Sequence, residues 1–362
     1  MEKFLAIVSD AIEMNATDIH LVDGLVPLFR VNKALIRDDR IEAMNKYDLE
    51  GLMEAIVGDS LELVEQFEQS KRLDLPYKIN DDVRLRINAS MAKGIPTFSI
   101  RVIRNSEINI DKLRLRSVID RLKKYNSGLI LITGSVNSGK TTTLNAFVQE
   151  LNHTENKKIV MLEEPIEYVH KSDKCVIVQK EVNSASDIPS YYDGVINLLR
   201  EDSDIAIVGE IRDRKTMDAA IDLAESGGLV IGTMHTRSGG ETIERILSMY
   251  SPNEQRAIKY TMSNILKCII SQKLIKSLNG DIVMVPEIMV INSTMGALIR
   301  QESFSISEIK DAIHRGRELG MQSYEKAFVE LINKNIIDLE LARKCVEADS
   351  YNLILNMMGS DR

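Results

Sequence analysis

GLILITGSVNSGKTTTLNAFVQEL, residues 128–151, decides the fold of the longer part of the chain. Its centre fits G-x-x-x-x-G-K-[ST], with Gly134, Gly139, Lys140 and Thr141 in the fixed places. A polyphosphate is held by converging backbone N–H groups, and the chain turns tightly enough to converge them only where glycines frame it. Gly134, Ser135, Asn137, Ser138 and Gly139 are therefore the candidate cradle, with Lys140 reaching the outer phosphates and Thr141 and Thr142 following it. The Thr141 hydroxyl suits a Mg²⁺ ion that bridges them, and a helix starting near Lys140 would aim its positive end at the same charge. The flanks agree: GLILIT is a short apolar run of strand type, and Leu144, Phe147, Val148 and Leu151 recur at helical spacing.

The 362 residues, 44% hydrophobic and 28% charged, are too many for one small core and predict at least two domains of a globular protein. No apolar run reaches the roughly 20 residues that span a bilayer. The start, MEKFLAIVSDAIEMN, has acidic residues inside its apolar stretch and no small-residue cleavage pattern, so a cytoplasmic location is expected. Cys175, Cys268 and Cys345 are too far apart for a local CxxC pair and read as free thiols. A net charge of −8 argues against a general nucleic-acid binder, which needs a basic footprint. The basic stretch DKLRLRSVIDRLKK (111–124) lacks interleaved aromatics and reads as solvated helix faces.

The first hundred residues begin with an amphipathic segment (Phe4, Ile7, Val8, Ala11) and continue through DIHLV, PLFRVN, RLDLPYKI, VRLRINAS and TFSIRVI. Most of these short segments alternate apolar with polar residues, the pattern of a half-exposed antiparallel sheet, so residues 1–103 are expected to form an α+β domain. Residues 104–117 read as a linker. Beyond it GLILITG, KKIVMLEE, DIAIVGEI and GLVIGTMH are apolar throughout, as in a parallel sheet buried on both faces, and residues 118–295 are expected to be a doubly wound α/β domain. From 296 to 362 the periodicity is helical, most clearly in EIKDAIHRGRELG and SYEKAFVELINKN.

Hydrolysis needs more than a cradle. Glu210 ends the apolar run DIAIVGE, where an acid can support Mg²⁺. Glu163 and Glu164 stand at the tip of another buried strand before Pro165, and a carboxylate there could accept a proton from an attacking water. His235 ends a fourth apolar strand. Ligands bind at the carboxyl ends of strands in open α/β sheets, so all four can share one site.

In order and spacing, GSVNSGKTTT, VMLEEPIEYVH, LLREDSDIAIVGEIRD and AESGGLVIGTMHTRSGGETIERI resemble the Walker A, Asp box, Walker B and His box of the secretion ATPase superfamily. That superfamily powers type II secretion and type IV pili. ATDIHL, VRLRINAS, IISQKL, PEIM, ALIRQ and GMQSYEKAF extend the likeness over nearly the whole chain, and it is greatest to the pilus retraction ATPases. The resemblance implies a PAS-like N-terminal domain, a RecA-like P-loop ATPase domain and a helical C-terminal region. It implies ATP and Mg²⁺ as ligands, Glu163 polarising water, Glu210 supporting Mg²⁺ and His235 sensing the γ-phosphate. It further implies that Arg84, Arg86 and Arg101 serve a neighbouring subunit's nucleotide within a homohexamer. The hexamer would act on the cytoplasmic face of the inner membrane, reached through a pilus platform protein and without nucleic acid.

Four departures from the family pattern stand out. Glu164 replaces an aspartate, Ser203 a proline and Gly228 a histidine, and the loop centre is Ser135, Val136, Asn137 in place of Pro-Thr-Gly. None removes Lys140, Thr141, Glu163 or Glu210, so hydrolysis is expected. An extension or secretion ATPase would usually carry a further N-terminal domain and a four-cysteine zinc motif, and this sequence is expected to have neither. A regulatory module without turnover would lack the acids, and a nucleic-acid translocase would want a basic, aromatic-lined channel.

Overall fold

The computed structural model describes residues 1–360 except 32–33, 39, 59, 81–82, 105–109, 112 and 184–186, and except the side chains of residues 62 and 360. The chain divides into two compact units, residues 1–107 with 167–169, and residues 108–166 with 170–362. Much of the expected linker, 105–109 and 112, lies outside the described residues.

In the N-terminal unit the helix α1 (Glu2–Glu13) precedes β1 (Asp18–Leu21), β2 (Leu28–Val31) and β3 (Ala34–Arg37). Then come α2 (Lys46–Val57), α3 (Leu61–Ser70), β4 (Arg72–Lys78), β5 (Val83–Ala92) and β6 (Ile95–Arg104). The strands form one antiparallel sheet in the order β3-β2-β1-β6-β5-β4. The expected alternation is present: Leu85, Ile87, Phe98 and Ile100 are buried with Phe4, Ile7, Val8 and Ala11 of α1, and the intervening residues face outward. Pro76 lies in β4, an edge strand, where its missing N–H costs no ladder bond.

The second unit runs through α4 (Arg116–Leu122), β7 (Gly128–Thr133), α5 (Lys140–Thr154), β8 (Lys158–Glu163), β9 (Val176–Glu181), α6 (Tyr191–Leu198) and β10 (Ile205–Val208). It continues with α7 (Arg214–Glu225), β11 (Leu229–Met234), α8 (Gly239–Leu247), α9 (Pro252–Ile265), β12 (Leu266–Lys276) and β13 (Ile282–Val290). Five further α-helices close the chain: α10 (Ser293–Arg300), α11 (Ile306–Arg315), α12 (Tyr324–Asn333), α13 (Leu339–Cys345) and α14 (Ala348–Ser360). The seven-stranded sheet has the order β13-β12-β7-β11-β10-β8-β9, parallel except for β13. Every residue of β7, β10 and β11 is buried, which is why these strands lack alternation. In α5 the periodic Leu144, Phe147, Val148 and Leu151 are buried, as their spacing predicts. The last helices build a smaller core of their own around Phe328, Leu331, Ile337 and Ile354, reached by Val285 of β13.

Parallel pairing determines where the chemistry can sit. Thr133 is opposite Met234, and Val208 is opposite both Leu162 and Gly232. The residues after β7, β10 and β11, and the last residue of β8, therefore emerge at one edge of the sheet. Ile207 lies in β10, between β11 and β8, and is 0% exposed. Ile207→Ala should lower unfolding free energy by about 2–5 kcal/mol, seen as a lower urea midpoint with an unchanged slope.

Candidate nucleotide site

The first backbone bond of α5 is Thr143 N–H to Gly139 O at 3.0 Å, so the N–H groups of Lys140, Thr141 and Thr142 have no helical acceptor and point out of the helix start. Gly134 is required where it stands: a Cβ there would lie 2.3 Å from Ser138 Oγ and 2.6 Å from the Gln272 carbonyl. Asn137 takes φ +60°, and asparagine is the residue that accepts this left-handed conformation most readily after glycine. The altered loop centre thus keeps the turn. Among the described residues Ser138 Oγ is buried without a hydrogen-bond partner, an orphaned group inside the loop that fits a ligand rich in acceptor oxygens.

Lys140 is 9% exposed, and its Nζ donates to Gly134 O and Ser135 O, both at 2.9 Å. Burial pulls its ammonium below the ordinary lysine range, and the charge of Glu210 offsets part of that. The link is His235, whose Nδ1 lies 3.4 Å from Lys140 Nζ and whose Nε2 lies 3.1 Å from Glu210 Oε1. Glu210 is gripped on its other side by Arg212, with Nε 2.7 Å from Oε1 and the second contact also at 2.7 Å from Oε2. Burial raises the Glu210 carboxyl, but the Arg212 hydrogen bonds and the His235 charge outweigh it and hold the group below its usual range. Lys140, His235 and Glu210, three of the sequence-predicted residues, therefore meet in one chain of contacts that Arg212 completes.

Glu163, 3% exposed, ends β8 and accepts a hydrogen bond from Gln179 Nε2 at 2.8 Å. Its neighbour Glu164 accepts from Asn183 Nδ2 and lies 3.9 Å from an Arg212 nitrogen. Thr141 and Thr142, half-buried, occupy the first turn of α5. An ionised carboxylate at Glu210 and the Thr141 hydroxyl are hard oxygen donors of the kind Mg²⁺ takes. A cleft of about 600 Å³ beside Glu164 and Glu210 is lined by Asn183, Tyr191, Arg212 and Lys215. Gly228 is at the other end of β11 from His235, and seven residues of strand at about 3.3 Å each put them roughly 23 Å apart. The histidine missing there thus leaves the His235 contacts intact. Ser203 precedes β10, at that same far edge.

Arg84, Arg86 and Arg101 belong to the N-terminal unit. Arg86 and Arg101 are directly opposite each other on the outer face of its sheet. Arg86 reaches Asp74 at 2.8 Å and Arg101 reaches Asp18 at 3.2 Å, while Arg84 is half-buried next to them in β5. Both arginines are exposed, and salt bridges at a protein surface contribute little to stability.

Besides this phosphate cradle on a parallel sheet, with acids and a histidine at the next strand ends, residues 1–348 of the chain match the sequence family described as "Type II/IV secretion system protein". The chain belongs to that family. This type II/IV secretion system protein is similar to the type IV pilus retractation ATPase PilT of Pseudomonas aeruginosa, 33% identical over 332 residues, 92% of this chain and 94% of that one. A twitching motility protein of Neisseria gonorrhoeae is 30% identical over 88% of this chain and 83% of its own. Among solved structures, the pilus retraction motor PilT with bound ADP superposes with a TM-score of 0.85 at 30% identity, covering 94% of this chain and 96% of that one.

Sequence reasoning missed the residues of this secretion system protein that support the site from the side. Gln272 Nε2, in β12, donates to Ser138 O at 2.7 Å, and Thr133 Oγ1 at the loop entrance donates to Ser271 Oγ at 2.8 Å. Their signal was present: Ser271 and Gln272 follow directly on the apolar run Cys268, Ile269, Ile270, and a fully buried polar side chain needs a partner. Gln272→Leu would leave the Ser138 carbonyl buried without that donor, a loss of about 1–3 kcal/mol. Titration with a fluorescent ATP analogue should show roughly tenfold weaker binding.

Proposed function

We propose that the protein is a homohexameric ATPase motor that powers retraction of type IV pili. The observation that supports this best is the 33% identity to PilT over 92% of the chain, together with the presence of Lys140, Thr141, Glu163, Glu210 and His235 at one sheet edge. In this reading residues 1–103 form the N-terminal domain, 104–117 the linker, 118–295 the RecA-like core and 296–362 the helical C-terminal region.

Each residue then has a task. The N–H groups of Gly134 to Thr142 and the Lys140 ammonium hold the phosphates, with Lys140 exchanging its two loop carbonyls for phosphate oxygens. Thr141 and Glu210 would hold Mg²⁺, which supplies charge neutralisation between the outer phosphates. Glu163 takes a proton from the attacking water, and His235, between Lys140 and Glu210, orients on the γ-phosphate. Arg84, Arg86 and Arg101 are delivered from a neighbouring subunit, so that turnover depends on assembly, because positive charge brought to the transferring phosphoryl group stabilises it.

ATP drives motion only to the extent that it binds a closed arrangement of the domains better than an open one. That difference would pass to a platform protein in the inner membrane, with the motor on its cytoplasmic face. Among the described residues no helix is long and apolar enough to cross a membrane, in keeping with attachment through a partner.

Lys140→Ala should cut phosphate release by roughly two orders of magnitude. Cells carrying it should show more surface pili and no twitching. Bare cells would instead assign the protein to pilus extension.

A further inference from the structure

His235 owes its place to the segment that follows it. Residues 235–239 join β11 to α8, and two of their backbone groups are held by side chains distant in sequence. Gly239 N–H donates to Glu287 Oε1 of β13 at 2.8 Å, and Tyr324 OH, at the start of α12, donates to Arg237 O at 2.8 Å. Local bonds complete the segment: Arg237 N–H donates to Glu241 Oε2 at 3.0 Å, and the Thr236 and Thr242 hydroxyls lie 2.7 Å apart.

Glu287 and Tyr324 are 4% and 8% exposed, and these two side-chain bonds go to the 235–239 segment itself. A carboxylate so buried in an apolar strand is costly, and it is retained against the start of α8, where a free N–H and the helix dipole favour negative charge. Burial pushes the Glu287 carboxyl up to about 7; the Gly239 bond and the charges of Lys310 and Lys273 pull it down, while Glu325 pushes it up. The close approach is built in, since a Cβ at Gly239 would lie 2.6 Å from Met289 Sδ. Tyr324 is itself anchored, with Lys273 Nζ 4.3 Å from its ring centroid.

We infer that Glu287 and Tyr324 are positioning residues for His235. They hold the 235–239 segment from β13 and from α12, so that the imidazole is presented between Lys140 and Glu210. A displacement of His235 must then strain or release bonds to α12 and the helices beyond it. The inference rests on the ATP-hydrolysing reading of the site.

Tyr324→Phe removes only the hydroxyl, and Glu287→Leu removes the acceptor, whereas Glu287→Gln retains one. Losing one positioning bond should lower kcat by about tenfold in the first two variants, with KM for ATP within about twofold. Glu287→Gln should recover kcat to within about threefold. Backbone hydrogen exchange over 235–242 should quicken in Tyr324→Phe and Glu287→Leu, with exchange in β7 and α5 unchanged. Wild-type kcat in both variants overturns the inference, as does a parallel loss of kcat, ATP affinity and protection throughout the sheet. Should the wild type fail to hydrolyse ATP, the functional reading falls, and unchanged exchange over 235–242 would separately overturn the positioning role.

Discussion

A lysine ammonium at 9% exposure is the constraint from which the rest of the site follows. Such a group is strongly hydrated in water, and burying it is unfavourable unless acceptors and a counter-charge replace that hydration. Lys140 finds two loop carbonyls, and through His235 it is connected to Glu210. The carbonyls exist where they do because Gly134 permits the turn, and Glu210 is nearby because β10 and β7 run in the same direction one strand apart. Removing the parallel sheet would leave the cation without its partner.

The side of the cradle rests on strands that look peripheral. β12 and β13 extend the sheet past β7, and their buried polar residues reach back toward both loops. Gln272 takes the Ser138 carbonyl, Ser271 takes the Thr133 hydroxyl, and Glu287 takes the Gly239 amide. A hydrogen bond between buried polar groups in a low-dielectric interior fixes geometry more sharply than apolar packing does, because moving either partner leaves both unpaired. The edge of the sheet thereby stiffens the loops that carry the chemistry.

Periodicity made the N-terminal antiparallel sheet and the central parallel strands readable, since burial on one face or on two leaves a direct mark on the pattern of side chains. It did not reveal β3, all of whose residues are exposed, or α2 and α3, and it left β12 and β13 as fragments without an assigned element. β12 carries Ser271 and Gln272 in its buried stretch, and β13 contains Pro286 and Glu287; both break the apolar run by which a buried strand is recognised.

By itself the sequence determined the phosphate loop, the helix behind it and the acids and histidine that end the neighbouring strands. These are local matters, set by glycine geometry, helix-start N–H groups and apolar runs a few residues long. Tertiary structure decided which of those groups meet. Lys140 and His235 are 95 residues apart in the chain and touch because β11 pairs with β7. Arg212 closes on Glu210, and Gly228 stands at the far edge of the sheet despite lying in the same motif as His235. Strand order and direction are global properties of the packed sheet, and no short stretch of residues encodes them.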